Sequence, residues 1–230
     1  MTRSVKTATL LASTILVAGI GIGPAQASHD FDGLVPTTRY SLQCISLGSD
    51  WTSSLPSVRR VCQTDNATVT WYADSSDPGE LESDDRAMVQ AVFSNWYAPT
   101  DLSISYNSTP SFSGSAETDL IFQEQDSGLT IPSSSLGITW CDNAQSSTTH
   151  GCDQTYMRLR SPDGYRIFAG SVTCHEIGHA VGLLHGPNSA FPDGSAVGVN
   201  DIARLGCMVN ENDYPAYLST DEAHQIDLTY

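Results

Sequence analysis

The sequence predicts a mixed α/β domain of about 160 residues, from Ala67 to Tyr230. Three observations carry this. Five short segments read as strands, three others repeat apolar residues at helical spacing, and the linkers between them are rich in Ser and Gly. Residues 67–74, ATVTWYAD, alternate as a first strand. A helix is expected over 80–97, where Leu81, Met88, Val89, Val92, Phe93 and Trp96 share one face. Asp77-Pro78-Gly79 precedes that helix as a start signal and Pro99 follows it as a stop. LSISY (102–106), DLIFQ (119–123), GITWC (137–141) and TYMRLR (155–160) are four further strands. The pattern turns helical again from Ala169 to Leu184, and a last helix covers Ser219 to Leu228. Ser219 and Glu222 have the spacing of a capping box there.

Residues 1–27 have the make-up of a signal peptide. Arg3 and Lys6 start it, an uncharged apolar run spans Ala8 to Gly23, and Ala25-Gln26-Ala27 offers a small-residue cleavage site. The run is short for a spanning helix and nothing comparable follows. The expectation is a secreted protein, with no membrane association once the signal is removed. Residues 28–66 form a loop-rich N-terminal segment, either a propeptide or an extension of the domain; Arg59-Arg60 within it would offer a processing site.

After the signal, eight arginines face 26 acidic residues, a formal charge of −18, and no lysine remains. Such a chain repels nucleic acid and anionic membrane surfaces. Acidic pairs such as Asp84-Asp85 offer oxygen ligands to calcium as a second ion, although no loop has EF-hand spacing. Six cysteines in an exported chain predict three disulfides among fifteen connectivities. Their order suggests sequential pairs, with Cys44–Cys62 stapling the N-terminal segment. With no appended domain in view, a freely diffusing monomer is expected.

The chemistry concentrates in CHEIGHAVGLLHG, residues 174–186, which holds three of the six histidines. On a helix, His175 and His179 stand one turn apart on one face, so both imidazoles reach one ion. Glu176 points about a quarter turn away, poorly placed as a ligand but well placed to hold a water. A helix continued to His185 would turn that ring elsewhere. Gly182 ends it at little cost by taking the left-handed conformation, and His185 then returns to the ion. Three neutral imidazoles leave a fourth zinc position open.

At these residues the chain resembles the metzincin zinc metalloproteases: HEIGHAVGLLH matches their HExxHxxGxxH signature. GCMV, residues 206–209, supplies Met208 as the methionine that packs beneath the ligands, and LSTDEAHQIDLTY (218–230) is similar to the C-terminal helix of matrixin-type members. The resemblance implies a twisted, mostly parallel sheet with a backing helix, an active-site helix and a C-terminal helix. It implies one catalytic Zn2+ on His175, His179 and His185, with Glu176 as the base that activates a zinc-bound water. The activity implied is that of a secreted endopeptidase acting on an extended peptide or protein, paired with a strand within Leu136 to Cys141. It further implies a Cys174–Cys207 disulfide locking the floor of the site to the ligand helix, against a rival reading of Cys174 as a fourth ligand. Cys141–Cys152 then staples the loop before the TYMRLR strand.

Some features depart from the family. No PRCGxPD-like switch precedes the domain, and Asn210 stands where some members have a tyrosine, with Tyr214 as a distant substitute. His150 and His224 are expected at the surface, and Asn66-Ala67-Thr68 and Asn107-Ser108-Thr109 match glycosylation sequons. Two other functions compete: a secreted zinc-binding module that cleaves nothing, and a zinc hydrolase of non-peptide amides. A non-catalytic module has no need of Glu176; the hydrolase differs only in its cleft.

Overall fold

In the computed structural model of the protein, residues 31–49, 60–76, 78–125, 131–160, 170–210 and 215–230 are described. The predicted signal peptide, Arg59, Asp77, Ala169 and Tyr214 lie outside them. Six strands form one sheet: β1 (Gln63–Thr64), β2 (Thr68–Ala73), β3 (Ser103–Tyr106), β4 (Leu120–Glu124), β5 (Gly137–Ala144) and β6 (Gly151–Leu159). β6 pairs with β4, β4 with β2 and β2 with β3, all parallel, and β1 lies parallel to the start of β6. β5 runs antiparallel along the other side of β6, with Gly137 opposite Leu159 and Trp140 opposite Tyr156. The fold is thus α/β with a mostly parallel sheet and one antiparallel edge.

Period-two alternation sorts the strand side chains onto two faces. Trp71, Leu120, Phe122, Met157 and Leu159 point into the main core, while Tyr72, Ile121, Ile138, Trp140 and Tyr156 form a second cluster on the opposite face. The main core is closed by α1 (Ser83–Val92) and α2 (Gly170–Ala180). α1 starts later than the sequence suggests, because Leu81 N–H donates to the Asp74 carbonyl at 2.8 Å and holds the preceding turn against the end of β2. It runs on into a wider π-type turn over Phe93–Tyr97, which buries Phe93 and Tyr97. α3 (Ile202–Leu205) and α4 (Thr220–Thr229) complete the fold, and α4 carries the predicted Ser219–Glu222 capping box.

The described part of the N-terminal segment packs into the domain. Phe31 and Leu34 belong to the main core, and Asp32 and Leu34 bridge to Ala190 and Leu183. Arg39 donates to the carbonyls of Pro187 and Gly194, at 3.0 and 3.1 Å. Three disulfides form, Cys44–Cys62, Cys141–Cys152 and Cys174–Cys207, and no described cysteine is free. Among the described residues no helix is long and apolar enough to cross a membrane.

Candidate metal centre

α2 has Gly at its start and inside the ligand turn, and a backbone motif at its end explains the uneven histidine spacing. Leu183 N–H donates to the Gly178 carbonyl at 2.8 Å and Gly182 N–H to the His179 carbonyl at 3.2 Å. These are the two bonds of a Schellman ending, and Gly182 takes the required positive φ of 95°. The chain reverses there and His185 comes back over the helix. His185 Nε2 then lies 2.9 Å from His175 Nε2 and 3.1 Å from His179 Nε2.

Those contacts fit a metal better than a hydrogen-bond network. His175 Nδ1 is 2.7 Å from the Cys207 carbonyl oxygen and His179 Nδ1 is 3.0 Å from that of Leu183. A carbonyl only accepts, so each Nδ1 carries a proton and each neutral ring aims an Nε2 lone pair inward. A proton on His185 Nε2 serves one of these lone pairs and not both. A cation serves all three nitrogens, and a tetrahedral ion with bonds of about 2.0–2.1 Å sets its ligands roughly 3.3 Å apart, close to the spacing found. Burial, and then the neighbouring His185, push His175 down to about 3, which keeps its ring neutral and free to ligate at ordinary pH.

The floor of the site is a turn over Gly206–Met208. Met208 is fully buried, its Sδ packed where Gly178 of the ligand helix has no side chain. Cys207 supplies both the carbonyl that orients His175 and the sulfur bonded to Cys174, so Cys174 is spent on the disulfide and takes no part as a ligand. Tyr97 Oη donates to the Cys174 carbonyl at 2.6 Å. From α4, the buried Glu222 carboxylate accepts Ser219 N–H at 2.9 Å and lies against the Met208 amide; burial holds its carboxyl well above the usual range.

Glu176 stands beside the triad, buried, with Thr139 Oγ1 of β5 at 2.6 Å from Oε2. Its other oxygen lies over Gly137, where an added Cβ would come within 2.6 Å. Neither Thr139 nor Gly137 stands out in the sequence, since both read as ordinary strand residues. Their one signal is the period: 137 and 139 share a face, and a glycine on that face leaves room for something.

Triad and Glu176 open into a cleft of about 350 Å3. β5 and the residues just before it line the cleft, together with Asn188 and Asn210, and Tyr40, Arg60 and Val61 come from the N-terminal segment. The hydroxyl of Tyr40 accepts Val61 N–H at 2.9 Å. His150 and His224 are half-buried away from the triad, His150 against the Leu42 carbonyl. At the start of α1, Asp85, Glu82 and Glu124 bring three carboxylates within 4.8 Å of one another, and Asp84 is exposed. No family model matches the chain, and no curated protein matches it.

Proposed function

We propose that the protein is a secreted, zinc-dependent endopeptidase of the metzincin type. One observation carries the reading: three imidazole Nε2 atoms converge, two of them on rings whose Nδ1 protons are committed to carbonyls, with a buried carboxylate alongside. The antiparallel edge strand beside the ligand helix and Met208 beneath it support the same fold family. His175, His179 and His185 would hold the ion. Bound there, zinc supplies Lewis acidity, acidifying a water and polarising a carbonyl.

The chain's own residues do the rest. Thr139 fixes one oxygen of Glu176 and Gly137 leaves space for the other, so the carboxylate is held in one orientation before substrate arrives. Glu176 takes the proton of the attacking water and hands it to the leaving amine. The edge of β5 offers backbone groups to an extended peptide, which aligns the scissile bond.

The test is cleavage of an unfolded protein by the zinc-loaded, oxidised chain from Ser28 onward, set beside the chelator-stripped protein and Glu176→Ala with its zinc retained. Loss of a general base is expected to slow turnover about 10²–10⁴-fold without releasing the metal. A zinc-loaded protein that is folded by circular dichroism yet inert would make it a zinc-binding module instead.

A further inference from the structure

We infer, resting on the peptidase reading above, that the N-terminal segment ends the substrate-pairing edge of β5. Backbone recognition on the N-terminal side of the scissile bond is then limited to about two residues.

The register of β5 fixes which groups face outward. Arg160 N–H donates to the Leu136 carbonyl at 2.8 Å, so the backbone groups of 136, 138 and 140 turn toward β6. Those of Gly137, Thr139 and Cys141 turn away from it. The Cys141 carbonyl is already taken by Leu47 N–H at 2.9 Å. Beside it, Trp140 Nε1 donates to the Gly48 carbonyl at 3.0 Å, and Ala144 N–H to Ser46 Oγ at 2.8 Å. Cys44 anchors this strip twice, through its disulfide to Cys62 and its N–H on the Thr149 carbonyl at 2.8 Å. Residues 44–48 thus occupy the far half of the edge and leave Gly137 and Thr139 for a ligand.

Glu176 touches Gly137 and Thr139, so the reacting centre lies opposite them and the strip begins two residues further on. Antiparallel addition is the more stable pairing. A peptide so added runs from the Cys141 end toward the Gly137 end, and its N-terminal part meets Leu47. Past Thr139 the substrate has no ladder partner and leaves the sheet.

The experiment uses zinc-loaded chain and nested peptides sharing one cleavage site, with one to five residues before it. kcat/KM is expected to rise about threefold to tenfold for the second residue, the worth of a ladder hydrogen bond, and to stay level from the third onward. Leu47→Pro removes the N–H that covers Cys141; with it, the two-residue peptide is cut as before and the fourth residue, the one that pairs with Cys141, raises kcat/KM. A wild-type rate that keeps climbing past the second residue overturns the inference, and so does a plateau that follows C-terminal length instead. The wild-type profile alone decides should Leu47→Pro fail to fold, as judged by circular dichroism. Failure to cut any peptide refutes the peptidase reading itself, an outcome distinct from a length profile of the wrong shape.

Discussion

Replacing Gly182 by Ala isolates what the end of the ligand helix costs and what it does. Two effects act at once. At φ 95° an L side chain sits in the left-handed region, which carries roughly 1–2 kcal/mol. Its Cβ would also lie 2.8 Å from Gln63 Cγ and 3.3 Å from Leu34 and Val35 side-chain carbons, an overpacking of roughly 1–3 kcal/mol. The sum is about 2–5 kcal/mol, or about 4–20 °C in melting temperature for a domain of this size. The assay is urea denaturation of chelator-treated protein, so that lost metal does not enter the result, with zinc affinity measured separately. Gln63→Ala in the same background separates the effects: it relieves part of the overlap and leaves the torsional cost, giving a coupling of about 1 kcal/mol. A Gly182→Ala protein within about 0.5 kcal/mol of wild type would refute this account of the turn.

Two further outcomes follow from the floor and the ligands. Removing the Cys174–Cys207 bridge, which spans 33 residues, should cost about 3–4 kcal/mol and weaken zinc binding, because Cys207 also orients His175; unchanged zinc affinity in Cys174→Ser/Cys207→Ser would separate the two roles. In the metal-free chain His175 titrates near 3 when folded against about 6.5 unfolded, so the unfolded state binds more protons between those values and stability falls as pH falls through them. Denaturation at pH 7 and 4.5 should differ by about 2–3 kcal/mol through this residue, a difference missing from His175→Gln.

The convergence of the three histidines was legible because helical spacing is a strong constraint: four residues bring two rings together, and a glycine at a fixed offset is the cheapest way to bring back the third. Strand positions were equally legible from alternation, to within a few residues. The mostly parallel pairing came from the family resemblance and not from alternation, since a parallel and an antiparallel strand have the same period. β1 escaped notice because two residues cannot display a period. Thr139 escaped because its role comes from a neighbour 37 residues away, a distance over which composition says nothing. The place of residues 31–49 was hidden for a related reason. Part of their hold on the domain is backbone hydrogen bonding, at Asp32, Val35, Cys44 and Leu47, and every sequence has the backbone groups for that.

That long-range pairing imposes an order of assembly. Among the described residues, the first-made stretch finds its partners in nearly the last: the Phe31 carbonyl accepts Gln225 Nε2 at 2.6 Å, and Asp32 pairs with Ala190. The Glu222 contact beneath Met208 likewise waits for α4. A chain interrupted anywhere before α4 lacks the support of its floor and the clasp on its leading segment, and folds no finished cleft. Formation of the cleft is thereby tied to completion, because non-local contacts form only after the loops between them have closed.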